Sequence, residues 1–286
     1  MANLTGGIKT YTPTDRFEVP FWKTWIVVLR NILRSRDLIR YLYLKDMFAK
    51  YRKSFFGSIW FIFSPLLGVV SWVFLNYTGL IDPGDLEVPY VVYVLVGTSM
   101  WQFYMNIYRD ASGTLITNTG IISQIHYPHE ALYVQKVLIT LTNFGVTFLI
   151  NLVVILIFGV NLSWKIVFFP LVMIPLILLG SALGLIAALL GVVVVDLRNV
   201  MNILMGLVLW ITPVVYSTKL DSPLMQAIIP WNPLTYLISS ARDIVVAGSL
   251  YEPKSFFICA GLSLVFFLIS LRLFWVSENR LIERLI

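Results

Sequence analysis

Four basic side chains crowd one short stretch of this sequence: Lys45, Lys50, Arg52 and Lys53. A long apolar run follows directly, so they stand where lipid headgroups meet water. Cations at that depth meet phosphate in a medium of reduced dielectric, where a charge pair is stronger than in bulk water. Two readings fit them. They guide a lipid phosphate, or they orient the chain through the excess of Lys and Arg on the cytoplasmic side of membranes. Arg242-Asp243 is a second charged pair, inside an otherwise apolar stretch. His126 and His129 flank Tyr127-Pro128, but no acidic or cysteine partner surrounds them at metal-ligand spacing. They read as surface residues rather than a metal site.

Other chemistries have no residues to carry them. The sequence contains no Gly-x-x-x-x-Gly-Lys-Ser/Thr phosphate loop, no His-Glu-x-x-His and no Gly-x-Ser-x-Gly elbow. Cys259 is the only cysteine, which excludes an internal disulfide and a cysteine metal cluster. It lies in an apolar run and reads as a small packing residue. The apolar runs hold almost no carboxylates, which argues against a proton- or sodium-coupled carrier. The same scarcity argues against a sugar transferase, which needs carboxylates near a sugar phosphate and its metal.

The elements that must position these residues are membrane helices. The chain has 286 residues, of which 58% are apolar and 13% charged. Soluble proteins carry about 25% charged residues. The net charge of +6 is concentrated: 11 of the 21 basic residues precede residue 54, ahead of the first apolar run. That distribution suits a cytoplasmic segment facing a membrane, not a nucleic-acid surface.

Residues 1–20 contain Gly6, Gly7, Pro13 and Pro20 and read as an irregular cytoplasmic tail without a cleavable signal. Residues 21–57 form an amphipathic helix and its connection. Trp22, Trp25, Ile26, Leu29, Ile32 and Leu33 recur at helical spacing while Arg30 and Arg34 project from a polar face, the pattern of a helix lying in the membrane interface. The membrane domain covers 58–277, with spans expected at 58–77, 89–109, 133–158, 166–195, 200–217 and 255–276, where a bilayer needs roughly 20 residues and the fourth run is the longest. Residues 278–286 are a short charged tail.

The stretch 223–248 is apolar enough to suggest a seventh span, but Pro223, Pro230 and Pro233 interrupt it and Arg242-Asp243 lies in its second half. Charge placement decides. Six spans put both termini on one side, with 17 basic residues there and 4 on the other. A seventh would break that asymmetry. The stretch is therefore expected to be a helical hairpin that re-enters from the outer side. The fold class that follows is an all-α integral membrane protein: six transmembrane helices, an N-terminal amphipathic interfacial helix, and a re-entrant outer hairpin before the last span.

Residues 44–60 contain Lys45-Asp46, Lys50-Tyr51-Arg52, Ser54, Gly57 and Trp60, and Ser64-Pro65-Leu66 follows. This pattern resembles the start of the permease subunits of type-2 ABC exporters, which export O-antigen, capsule or teichoic acid. Further stretches match in order. They are Pro89-Tyr90 with Gly97 and Trp101, Ile125-His126-Tyr127-Pro128, Asp196-Leu197-Arg198-Asn199, Thr212-Pro213-Val214-Val215-Tyr216 and Trp231-Asn232-Pro233-Leu234. The family more often has Lys or Arg near His126, Arg at His129 and Arg where Val195 stands.

The resemblance implies a non-catalytic permease subunit in a bacterial cytoplasmic (inner) membrane, both termini cytoplasmic, exporting a lipid-linked O-antigen-like polysaccharide. It implies a second copy of the chain and two ATP-binding cassette subunits, which would bind ATP and Mg in place of any cofactor in this chain. It places the coupling helix in 110–131, with Ile121, Ile122, Gln124, His126, Tyr127, Pro128, His129 and Glu130 facing the ATPase. On this view Lys45, Lys50, Arg52 and Lys53 guide a pyrophosphate-linked lipid. Trp72, Trp101, Phe103, Tyr104, Tyr108, Trp210 and Tyr216 are candidates to line a glycan path, since aromatic faces stack on sugars; the alternative is packing or an interfacial belt. Arg242-Asp243 is either a structural bridge or a gate contact. A teichoic acid or capsule exporter, a drug or small-lipid exporter of the same architecture, and a lipid-linked-sugar transferase stand as alternatives.

Overall fold

The computed structural model describes residues 19–52, 60–114, 129–219 and 222–282, and all regular structure among them is helical. The amphipathic segment forms two helices, α1 (Phe21–Arg34) and α2 (Arg36–Arg52). They part at Ser35, whose amide donates back to the carbonyls of Asn31 and Ile32 at 3.0 and 3.2 Å. Then follow α3 (Trp60–Tyr77), α4 (Tyr90–Gly113), α5 (His129–Ile157), α6 (Phe169–Val193), α7 (Val195–Val208), α8 (Pro223–Ile228), α9 (Pro233–Val246) and α10 (Pro253–Ile282).

Among the described residues, three stretches are long and apolar enough to cross a membrane: Glu130–Ile157, Trp164–Val193 and Pro253–Ser277. The protein is therefore a multi-pass membrane protein. At 1.5 Å per residue, the 18-residue α3 is about 27 Å long and the 24-residue α4 about 36 Å. The fifth expected span needs correction. It was expected over 200–217, but α7 has 14 residues, about 21 Å, and a single 3₁₀ turn carries it only to Ile211. Pro213 explains the stop: it disfavours helical backbone at Thr212, which is extended (φ −109°, ψ 129°). The stretch 223–248 is broken into the six-residue α8, a 3₁₀ turn and the 14-residue α9, each too short to cross alone.

The core is built around α4, which is buried on nearly every side from Val92 to Ser112. Its closest neighbour is α6, and small residues set the distance. Gly180 and Gly184 stand one helical turn apart, the spacing that lets two membrane helices approach backbone to backbone. A Cβ on Gly184 would lie 2.5 Å from the Ala111 methyl and 3.2 Å from the Ser112 amide nitrogen. Leu185 and Ala188 of α6 pack in a cluster with Ala111 of α4, Tyr133 of α5 and Phe274 of α10. Val28 of α1 joins Trp275 and Val276, which seats the amphipathic helix on the end of α10.

This packing sorts the charged groups by end. Contacts draw together α1, α2, the start of α5, the Arg109-Asp110 end of α4 and the Arg272 end of α10. At the opposite end, Lys219 lies 3.9 Å from Glu87, the Ser217 amide donates to the Pro83 carbonyl at 2.7 Å, and Gly248 abuts Ser163.

Candidate functional site

At the end away from α1, the bent, non-helical segment 212–217 lies across the first turns of α4. Gly97 makes room for it: an added Cβ would run into the Val214 carbonyl and sit 3.3 Å from its carbon. Arg242 of α9 then ties the two together. It is only 4% exposed, and its Nη1 donates to the Pro213 carbonyl at 3.1 Å. Its guanidinium carbon lies 3.8 Å over the Tyr93 ring, and its Nε donates to Asp243 Oδ1 at 3.2 Å. Tyr93 in turn donates to the Tyr216 carbonyl at 2.8 Å. The buried charge is thus met by a carboxylate, a carbonyl and a ring face, which offsets the cost of removing it from water.

The Asn232-Pro233 pair anchors the same segment. Asn232 Oδ1 accepts from the Leu234 amide at 3.0 Å as the N-cap of α9, with Pro233 at the first helical position. Its Nδ2 donates to Thr212 Oγ1 at 2.8 Å and to the Ile211 carbonyl at 3.2 Å. Tyr216 closes the turn by donating to the Trp210 carbonyl at 2.8 Å. The Thr212-Pro213 and Trp231-Asn232-Pro233 stretches, 20 residues apart at Thr212 and Asn232, are therefore two halves of one joint.

The aromatic candidates divide. Trp101, Phe103, Tyr104 and Tyr108 are packed inside the protomer, and Tyr216 is buried as well. All five belong to one hydrophobic core cluster. Around them α4 packs against α3, α5, α6 and α9, and its uncovered stripe is Gln102, Asn106 and Arg109. Trp210 is 56% exposed, and its ring meets that of half-buried Trp72 edge-on at 5.9 Å.

A feature the residue types did not disclose lies beside Trp210. No residue of α7 is buried; Asn199, Asn202 and Gly206 are exposed on one face of it, and exposed Trp210 follows in the 3₁₀ turn. The spacing of three and four was present in the sequence. The exposure was not, because a short apolar helix gives no sign of which face its neighbours leave uncovered.

At the other end, Lys45 is exposed on α2. Lys53 and the side chains of Lys50 and Arg52 lie outside the described residues, as do Ile121, Ile122, Gln124, His126, Tyr127, Pro128 and the side chain of His129. Glu130 is buried at the start of α5, where its Oε1 accepts from Asn31 Nδ2 of α1 at 2.8 Å. Among the described residues no group of three or more His, Cys, Asp or Glu is placed to hold a metal ion.

The family model described as ABC-2 type transporter matches residues 37–246. The chain belongs to the ABC-2 type transporter family. The match starts in α2 and ends with the last residue of α9, so it takes in the bundle centred on α4 and the joint at 212–242. The chain is similar to an O-antigen export system permease protein, RfbA, of Myxococcus xanthus, with 25% identity over 84% of this chain and 92% of the relative. An RfbA of Klebsiella pneumoniae is 25% identical over 80% of this chain and 88% of its own length. The polysialic acid transport protein KpsM of Escherichia coli is 22% identical over 84% and 93%. The type-2 ABC family resemblance read from the short motifs thus holds along most of the chain.

Proposed function

We propose that this chain is the membrane half of an ATP-driven exporter, passing a lipid-linked, O-antigen-like polysaccharide across a bacterial cytoplasmic membrane. It works as two copies joined to two ATP-binding cassette subunits, which bind ATP and Mg. The observation that carries this reading is the ABC-2 family membership together with relatives named for export of O-antigen and transport of polysialic acid. Capsule and teichoic acid exporters share the architecture and are the neighbouring possibilities.

The six spans of this proposal are α3, α4, α5, α6, α7 with the turn after it, and α10. The 223–248 stretch dips in from the outer side. Its support is the sorting of charge: α1, α2 and the Arg272 end lie together, which suits the cytoplasmic side. Both termini then face the cytoplasm.

The path runs along α7. An asparagine on a membrane helix is costly against lipid, so an exposed face bearing Asn199 and Asn202 favours water or protein as its neighbour. Trp72 and Trp210 stand at the outer end of that face and supply flat surfaces for sugar rings. In this scheme Lys45, Lys50, Arg52 and Lys53 receive the lipid pyrophosphate. The stretch from Ile121 to Glu130 meets the ATPase. Arg242 and Asp243 hold the outer joint closed around Pro213.

Deleting 118–130 tests the coupling assignment. The expected result is loss of the ATPase subunits on purification and loss of glycan export. Unchanged assembly and export would remove that assignment.

A further inference from the structure

The first four turns of α5 are held by polar bonds on two opposed faces. On one face Tyr133 donates to Ser181 of α6, and Thr140 donates to the Asp110 carboxylate of α4. On the other, Gln135 Nε2 donates to Asp46 Oδ2 of α2 at 3.1 Å, and the hydroxyls of Thr142 and Tyr43 share a hydrogen bond at 3.0 Å. Both pairs of α5 residues are seven apart, two helical turns, so each pair sits on a single face and the two faces lie roughly 160° apart. Lys136 adds a charge to the α2 side, its Nζ 3.3 Å from the same Asp46 oxygen. Asp46 therefore takes two donors from adjacent residues of one helix.

These two faces differ in kind. The core face uses hydroxyls in the packed interior. The α2 face joins one hydroxyl pair to a charged contact, made by a carboxylate that is itself 38% exposed. An exposed pair contributes little by charge alone, but this oxygen also receives Gln135, which is buried. The carboxylate belongs to α2, a helix of low amphipathicity whose described outer surface is largely exposed. Beside Asp46, α2 is held by the Tyr43–Thr142 bond and by the buried side chains of Ile39 and Leu42.

We propose that Asp46 is a positioning residue that locks α2 to α5, so that the two helices move as one body when force enters the start of α5. Asp46 touches no cargo; it makes the interfacial helix follow the helix that leads out of the ATPase-facing residues. This rests on the exporter reading, and the experiment separates the two.

Spin labels are placed on cysteines at Tyr41 of α2 and Leu138 of α5, both exposed, in a Cys259→Ala background. Distances are measured in the complete complex with its ATPase subunits, before and after ATP with vanadate. A second set carries the label at 41 alone, reporting the distance between the two copies. In the wild type the 41–41 distance shifts with ATP and vanadate, while the 41–138 distance stays narrow and constant. In Asp46→Asn the 41–138 distribution broadens and shifts on adding ATP and vanadate. The exchange Asp46→Lys with Lys136→Asp restores the narrow distribution, which a merely misfolded protein does not do. A 41–138 distance in Asp46→Asn as narrow and constant as in the wild type, with 41–41 still responding, overturns the role of Asp46. A wild-type complex that binds no ATPase, or whose 41–41 distance ignores ATP, overturns the exporter reading and takes this inference with it.

Discussion

Replacing Gly97 by alanine should destabilise the protein, although alanine is the better helix former. In a helix interior the exchange gains about 0.8–1 kcal/mol from propensity. At Gly97 the new methyl enters the repulsive range of the Val214 carbonyl and lies 3.3 Å from its carbon and 3.6 Å from its Cα. Both neighbours are backbone, held by Arg242 through Pro213 and by Tyr93 through Tyr216, so they cannot rotate away. Overpacking of this kind costs about 1–3 kcal/mol. The expected net loss is therefore up to about 2 kcal/mol. Gly206 is the internal control, because nothing lies within 4 Å of a Cβ placed there. Gly206→Ala should be neutral or stabilising by up to about 1 kcal/mol. Apparent melting temperatures of both variants in one detergent would be compared. At about 2–4 °C per kcal/mol for a protein of this size, Gly97→Ala should melt several degrees below Gly206→Ala. Equal melting temperatures would refute the close approach of segment 212–217 to α4.

Other substitutions probe the same geometry. Arg242→Gln removes a charge-assisted bond to Pro213 and a cation over Tyr93, and should lower stability by about 2–4 kcal/mol; Asp243→Asn, at a partly exposed group, should cost clearly less in the same melting assay. Asn232→Ala loses the α9 N-cap and the bonds to residues 211 and 212, a loss of about 1–2 kcal/mol, visible as faster proteolysis within 212–232. Trp210→Ala leaves the core untouched because the side chain is exposed, so assembly and ATP hydrolysis should persist while glycan export slows.

Most of the helical layout could be read from hydrophobic runs and charge placement. The long apolar stretches of α5, α6 and α10 stand out because lipid leaves few other solutions to a run of such length. The short motifs also pointed to the right places: Thr212-Pro213 and Trp231-Asn232-Pro233 are the two halves of the outer joint. Less could be read where packing decides. Tyr104 and Tyr108 have the amphipathic chemistry of path residues, yet both are fully buried while Gln102, Asn106 and Arg109 of the same helix are exposed, and only the tertiary arrangement reveals it. The early end of α7 was obscured because Val214, Val215 and Tyr216 continue its apolar run, and Pro213 is the local signal of the break. Long-range polar joints such as Asp46 with Gln135 and Lys136 join residues about 90 positions apart, which no local pattern announces.

The central claim is that fuel and passage reside in different polypeptides. It is tested most directly in liposomes containing the purified chain, with and without its ATPase subunits, by measuring ATP hydrolysis and the movement of a lipid-linked O-antigen glycan to the far leaflet. The account predicts neither activity from the chain alone and both from the complex. Nucleotide hydrolysis or glycan movement by the chain alone would contradict it.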